Sequence, residues 1–468
     1  MKSLRIGLTA AFVLLATVPA QAANPTPSPS QSQTPTTSAT PTPTGSGTPT
    51  ATATPTPTPV PTPNKPHSCS IHAAMNQTNL AYFYGYVMNA NTGQVYANLR
   101  GDEQTPSASV MKVMTASAAI AAISPDYQAT TRVLAVPSEP GTVVLKGGGD
   151  HTLSRLNPPS YTTYKYPPKI SKLAAQVVSA WPANQPITKI ILDASYFDQP
   201  AWNTFWRNAD RTSGDISLIT GLMVDSDREN PDLTDKNYSG NRSTDPVMRA
   251  GAVFKQALGS IASDATLVAA TTPQDAIEVG NVKSQPMSIW LDHALKYSDN
   301  TETEIIAKHA ERITGFTTDF KSVQPMVKRA MKALGIDARK LIMNDASGLA
   351  QSDRVTAKLI ANVMAAAAKP NSPIAALLNY LPVSGVSGTL QGRYNGYSAQ
   401  ARGAVHAKSG YIPGLISLAG VVYAKDGTPI AFAGFARQFG GKTLYASARP
   451  ALDALTTRLF LCGAGSYY

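Results

Sequence analysis

Ser109 stands three residues before Lys112, and no other serine of this 468-residue chain has a lysine at that distance. On a helix, positions three apart share a face, so the amine of Lys112 can reach the hydroxyl of Ser109. That is a nucleophile with an adjacent base. To accept a proton the lysine must be neutral near pH 7, whereas a free lysine titrates near about 10.4, a difference of roughly 4 to 5 kcal/mol. Burial and a second cation both lower such a pKa, and Lys408 is the candidate second cation. Ser298-Asp299-Asn300 offers a hydroxyl to pass a proton and an amide to bond a substrate backbone, with Asp299 structural. Ser239-Gly240-Asn241 fits Ser-x-Asn too, but in a polar, turn-rich stretch without flanking helices. Along an extended strand His406, Lys408 and Gly410 share one face. There Lys408 can bind a carboxylate, Ser409 adds a hydroxyl, and Gly410 lets a substrate lie close to the backbone.

The elements that must position these groups are legible in part. Leu80 to Met88, a turn at Asn91-Thr92-Gly93, and Gln94 to Leu99 read as a hairpin. Pro106 breaks the chain before Ser109, and an Ala- and Met-rich helix then runs to about Ala122, placing Ser109 at a helix start whose N–H groups and dipole suit an oxyanion. Strands are predicted over Thr131 to Val136, Thr142 to Lys146 and Ile187 to Leu192, and helices over Ile170 to Trp181 and Val247 to Leu258. Residues 286–314 read as helix, short loop, helix, with Ser298 and Asn300 on the connection. A helix over Thr356 to Ala368, strands over Gly403 to Ser409, Leu415 to Tyr423 and Pro429 to Ala436, and a helix over Ala448 to Phe460 complete a sheet with terminal helices.

Composition narrows the class. Lys2 and Arg5, an apolar run from Ile6 to Val18 and Pro19-Ala20-Gln21-Ala22 read as a secretory signal cut after Ala22. That run is too short to span a bilayer, and no other segment approaches the roughly 20 apolar residues required. Residues 23–66 are almost entirely Pro, Thr, Ser and Ala and cannot bury a core, so they read as a disordered linker. Cys69 and Cys462 are the only cysteines, one at each end of the folded part of an exported chain, and are expected to form a disulfide. No CxxC or HExxH exists and the six histidines are scattered, so no metal and no cofactor is expected. Gly147-Gly148-Gly149-Asp150 and Gly441-Lys442-Thr443 both miss the spacing of phosphate loops. The net charge of +11 is dispersed, which permits attraction to a wall polymer or anionic surface, while the export signal argues against nucleic acid.

The three motifs, in this order, resemble those of the class C low-molecular-mass penicillin-binding proteins, the exported D-alanyl-D-alanine carboxypeptidase and endopeptidase family. So do Gly148-Gly149-Asp150 with Thr152-Leu153, Asp193-Ala194-Ser195-Tyr196-Phe197, Glu304 after Ser298-Asp299-Asn300, Asp345-Ala346-Ser347-Gly348-Leu349, and the stretch from Leu381 to Leu390 that ends Gly388-Thr389-Leu390. The resemblance runs from about residue 75 to 460. It implies an α/β (α+β) fold: a β-lactamase/transpeptidase-like catalytic domain, an antiparallel sheet flanked by helices, made of residues 67–128 and 285–468. An accessory mixed α/β region, residues 129–284, would be inserted between, in keeping with the interval 298 − 109 = 189 residues. By the same resemblance Ser109 is acylated, Lys112 is the base, and Ser298 relays the proton. Asn300 orients substrate, Lys408 and Ser409 hold its terminal carboxylate, Gly410 completes that motif, and the N–H groups of Ser109 and Tyr411 bind the oxyanion. The substrates implied are peptidoglycan stem peptides, with β-lactams as acylating mimics. Two departures stand out: Ser409 replaces the family's usual threonine, losing a methyl that stiffens the rotamer, and Thr301 replaces an apolar residue. A β-lactamase or esterase on the same scaffold, and a catalytically weak wall-binding protein, are the alternative readings.

Overall fold

Alternation of side chains decides the central layer. Along Pro429–Arg437, Ala431, Ala433 and Phe435 face one core while Ile430, Phe432 and Ala436 face another, so the strand is buried on both sides and reads as a continuous apolar run. The computed structural model describes residues 69–157, 162–231, 240–438 and 445–468. The signal segment, the linker, Ser239 and Gly441-Lys442-Thr443 lie outside the described residues.

In chain order, β1 (Tyr82–Asn89) and β2 (Val95–Leu99) form the predicted hairpin, and α1 (Met111–Ala122) follows the Ser109 turn. Next come β3 (Thr130–Ala135), β4 (Thr142–Lys146), α2 (Ile170–Ala180), β5 (Lys189–Asp193), α3 (Pro246–Leu258), β6 (Thr266–Ala269) and β7 (Ile277–Lys283). The chain continues with α4 (Met287–Tyr297), α5 (Asn300–Ile313), α6 (Val323–Ala333), α7 (Ala357–Ala367), β8 (Val405–Ile412), β9 (Leu415–Tyr423), β10 (Pro429–Arg437) and α8 (Tyr445–Cys462).

One five-stranded sheet, ordered β8-β9-β10-β1-β2, is antiparallel throughout. Helices α1, α4, α5, α6 and α7 share the core on one of its faces, and α8 packs on the other. The second sheet, ordered β6-β5-β4-β3-β7, is mixed, with β4-β5 and β5-β6 parallel, and it shares its core with α2 and α3. All of this second sheet falls between residues 130 and 283, yet Asn64–Tyr468 forms one compact unit. A short parallel pair, Cys69–Ser70 with Ser466–Tyr467, brings the two ends of the described chain together, and Cys69 is disulfide-bonded to Cys462.

The structure corrects the reading at three places. Asn300 is not on the connection but is the first residue of α5, because the Asp299 carboxylate caps that helix by accepting the N–H of Glu302 at 3.0 Å. Strands β6 and β7 were not legible, since most of their residues are exposed or half-exposed and β7 carries alternating polar residues. Helix α6 was also missed, its pattern masked by Pro325 in the first turn.

Candidate active site

Ser109 lies in a 3-10 turn, Ala108–Val110, that runs directly into α1. Ala108 is held at φ 48°, a left-handed conformation that costs a non-glycine residue of order 1–3 kcal/mol and that concentrates at functional turns. Lys112, one helical turn on, is fully buried. Its Nζ lies 3.1 Å from Ser109 Oγ, 2.6 Å from Asn300 Oδ1 and 2.8 Å from the Ser347 carbonyl oxygen. A neutral amine has two N–H bonds and one lone pair. Two carbonyl acceptors take the two N–H bonds, which turns the lone pair toward the Ser109 hydroxyl. Burial lowers the Lys112 pKa from 10.5 to about 8, against the opposing charges of Asp345, Glu304 and Asp299.

The Ser347 carbonyl is aimed by a buried carboxylate scaffold. Glu304 on α5 accepts the N–H groups of Ala346 and Ser347, at 3.0 and 2.8 Å. Asp345 accepts those of Ser347, Gly348 and Ala350 and the indole N–H of Trp206. Burial, followed by the charge of Asp345, pushes Glu304 up to about 8, with the N–H of Ala346 opposing that rise. Gly348 (φ +79°) is the point where this loop meets the Ser109 turn: a Cβ there would stand 2.0 Å from the Ala108 carbonyl oxygen.

Ser298 caps α4 in a left-handed conformation (φ 64°) that projects its hydroxyl toward β8. Lys408 Nζ donates to Ser298 Oγ at 2.9 Å and to its neighbour Ser409's carbonyl at 2.8 Å. Lys408 is fully buried, and burial, followed by the charge of Lys112, drives its pKa well down. The expected influence of the second cation therefore falls on Lys408 rather than on Lys112. Lys408 stands behind Ser298, whereas Ser409, whose hydroxyl bonds Thr389 at 2.7 Å, lines the groove. β8 is an edge strand of its sheet. Val405 C=O and Ala407 N–H point outward to Ser384 and Pro382, so by the two-residue period the N–H of Tyr411 also points to the open edge. Gly410 serves a closer purpose than predicted: a Cβ there would lie 2.3 Å from Ser417 Oγ and 3.0 Å from Ser109 N, so glycine lets the strand itself press against the Ser109 turn.

The region between residues 130 and 283 reaches into the site. Tyr164 and Arg228 bond Asp299 Oδ2 at 3.0 and 3.2 Å, and Tyr164 also bonds Ser226 at 2.6 Å. Burial would raise the Asp299 pKa, but Arg228, His293 and the Glu302 N–H hold it below its ordinary value. Asn300 Nδ2 donates to the Asp215 carbonyl at 2.9 Å, so both ends of that amide are engaged inside the protein.

The three motifs, separated by up to 408 − 109 = 299 positions, thus meet around one groove of about 320 Å³. Ser109, Ser298, Asn300, Ser409, Gly410 and Tyr411 line it, while Lys112 and Lys408 lie behind. Asp215, Arg242, Arg393 and Arg449 line it as well and had no signal in the sequence, since none belongs to a local pattern. Glu304, Ser347 and Thr389 were part of recognised motifs, though the contacts they make were not foreseeable.

The profile of the S13 family, D-Ala-D-Ala carboxypeptidase 3, matches residues 68–244 and 231–459. Carboxypeptidase DacB of Mycolicibacterium smegmatis is 32% identical over 397 residues, covering 84% of each chain. A D-alanyl-D-alanine carboxypeptidase of Actinomadura is 25% identical, covering 73% of this chain and 75% of its own. Among solved structures, penicillin-binding protein 4 of Haemophilus influenzae matches with a TM-score of 0.69 at 20% identity, over 83% of this chain and 98% of that one. A complex of the same protein with a β-lactam matches at 0.66, with 19% identity over the same shares. Motif order, fold and family profile agree: the chain belongs to the S13 D-Ala-D-Ala carboxypeptidases, low-molecular-mass class C penicillin-binding proteins that are peptidases of the serine type.

Proposed function

We propose that this protein is an exported carboxypeptidase that removes the terminal D-Ala of peptidoglycan stem peptides through an acyl-enzyme on Ser109. Lys112 takes the Ser109 proton as the oxygen attacks the penultimate D-Ala carbonyl. The N–H groups of Ser109 and Tyr411 receive the oxyanion. Ser298, bonded to Lys408, passes a proton to the departing amine, Asn300 fixes Lys112 and the groove wall, and water then releases the acyl group. The leaving carboxylate is held by the Ser409 hydroxyl, with Lys408 placed behind it at Ser298. A β-lactam would acylate Ser109 by the same attack, a reading supported by the β-lactam complex of the Haemophilus influenzae relative. The same steps would open a peptide cross-link, whose scissile bond has the same acyl side, giving endopeptidase activity.

The observation that carries this reading is the three-way setting of Lys112 Nζ between Ser109, Asn300 and Ser347. Export is supported by the apolar leader with its Ala-x-Ala end and by the Cys69–Cys462 bond. No helix among the described residues is long and apolar enough to cross a membrane. With the leader removed, residues 23–66 would tether the catalytic body, and the net positive charge would favour the wall or membrane surface. The test is to incubate the mature protein with a penicillin, locate the adduct by mass spectrometry, and follow D-Ala release from a pentapeptide and cleavage of a cross-linked dimer. A stable adduct on Ser109 with D-Ala release is expected, and Ser109→Ala should lower labelling by about 10³-fold or more. Labelling retained in Ser109→Ala would remove the nucleophile assignment, and rapid penicillin turnover without peptide cleavage would point to a β-lactamase.

A further inference from the structure

A second cavity, of about 300 Å³, adjoins the catalytic groove, and Tyr297 lines both. Chain neighbours of the reacting groups set its place. Tyr297 precedes Ser298, which passes the proton to the departing amine, and Gly388 precedes Thr389, whose hydroxyl bonds Ser409 at 2.7 Å. Gly388 also lines the cavity, and there the two walls meet closely. It is held at φ +55°, and a Cβ on it would stand 2.6 Å from the Lys296 carbonyl oxygen near the end of α4. The cavity therefore adjoins the leaving-group end of the groove, the end at which Ser298 and Ser409 act.

A single departing D-Ala is met by Ser298 and Ser409 and needs no space beyond them. A peptide cross-link has the same acyl half but a longer leaving half, because the departing amine belongs to a second stem peptide. That peptide must continue past Tyr297. The cavity offers what a short peptide requires: a volume at the lower end of the range for ligand pockets, with apolar walls and a few polar groups. Trp290, which lines it, is 2% exposed, and its indole N–H has no hydrogen-bond partner among the described residues. Such a buried donor suits a peptide carbonyl. Ile289 and Val386 are exposed apolar residues on the same wall. Lys165 adds an exposed ammonium, suited to the free carboxylate that ends a stem peptide, whereas Lys296 is paired with Asp292 at 2.5 Å.

We infer that this cavity receives the second stem peptide of a cross-link, the half that leaves with its amine, and so fits the site to endopeptidase cleavage. The inference rests on the acyl-enzyme reading above. The bond between the acyl carbon and the amine nitrogen breaks, Ser298 gives its proton to that nitrogen, and water later takes the acyl group from Ser109. The freed stem peptide then departs from the cavity, while the acyl half stays on the Ser109 side of the groove.

The mature protein is assayed on a cross-linked stem-peptide dimer and, separately, for D-Ala release from a pentapeptide. Lys165→Glu and Val386→Trp, both at exposed positions, should each lower dimer cleavage about tenfold or more relative to D-Ala release. Trp290→Phe, which removes only the N–H, should lower that ratio about threefold to tenfold. Thermal melting identifies a variant that fails to fold, and the two exposed positions then decide. A ratio unchanged in folded Lys165→Glu and Val386→Trp, with penicillin labelling of Ser109 intact, overturns this assignment and leaves the acyl-enzyme reading standing. Calorimetry of Ser109→Ala with a free stem tetrapeptide reads the cavity without any acylation. Binding weakened about tenfold by Lys165→Glu or Val386→Trp is expected, and binding that is absent, or unaffected by both, overturns the site.

Discussion

The pH dependence of acylation follows directly from the setting of Lys112. Burial takes its pKa from 10.5 to about 8, which at about 1.36 kcal/mol per tenfold change is worth roughly 3.4 kcal/mol. At pH 7 an unshifted lysine would be neutral in about 3 molecules in 10⁴, and the shifted one in about 1 in 11, so burial enlarges the reactive population by about 300-fold. The neutral form is the competent base. The second-order rate of acylation should therefore rise with pH through about 8, gaining about tenfold between pH 7 and 9 before levelling. Stopped-flow labelling with a fluorescent penicillin measures this rate directly. Asn300→Asp provides the complementary perturbation, because it places a carboxylate where Asn300 Oδ1 now stands 2.6 Å from Nζ. That charge stabilises the ammonium and should move the limb alkaline by at least about one unit. A rate that is flat from pH 6 to 9, or a limb near the free-lysine value that Asn300→Asp does not move, would refute the argument that burial and two carbonyl acceptors prepare Lys112.

Three further outcomes are expected. Arg228→Ala removes the guanidinium that bonds buried Asp299 at 3.2 Å and should cost up to about 3–5 kcal/mol, read in a urea melt; it should also slow acylation, and an unchanged midpoint would show that the ion pair does not hold this loop. Gly410→Ala inserts a methyl 2.3 Å from Ser417 Oγ, so penicillin labelling should fall by about 10²-fold, as expected for ångström-scale misplacement of reacting groups, and wild-type labelling would contradict the close packing of β8 on the Ser109 turn. Cys69→Ser with Cys462→Ser opens a link between residues 393 positions apart; the chain-entropy relation sets an upper bound of about 6 kcal/mol on the lost stability. Melting the oxidised and reduced wild-type proteins should show the same difference, and coincident melts would deny the bond a stabilising role.

Much of the catalytic sheet was readable because its strands are apolar runs bounded by breakers. Leu415–Tyr423 and Pro429–Arg437 are separated by Lys425-Asp426-Gly427, and both strands are buried on two faces. β6 and β7 escaped notice for the opposite reason: they are half-exposed, with residues such as Glu278 and Asn281, and depend on pairing with β5 and β3. Asn300 was placed one element too early because Asp299, read only as structural, is the helix cap whose local geometry starts α5.

The sequence by itself determined which groups could react. A serine with a lysine three positions on, a Ser-x-Asn between apolar helices and a Lys-Ser-Gly on a strand are local patterns, and helix and strand periodicity carry them. Only the tertiary structure decided how those groups are set. Lys408 is engaged by Ser298 rather than exposed to a carboxylate, Asn300 spends both ends of its amide on Lys112 and Asp215, and Glu302 is enclosed by two histidines. Ionisation and hydrogen-bond partnership depend on burial and on distances between residues far apart along the chain. Those quantities exist only once the chain has packed and water has been excluded, so no local pattern can encode them.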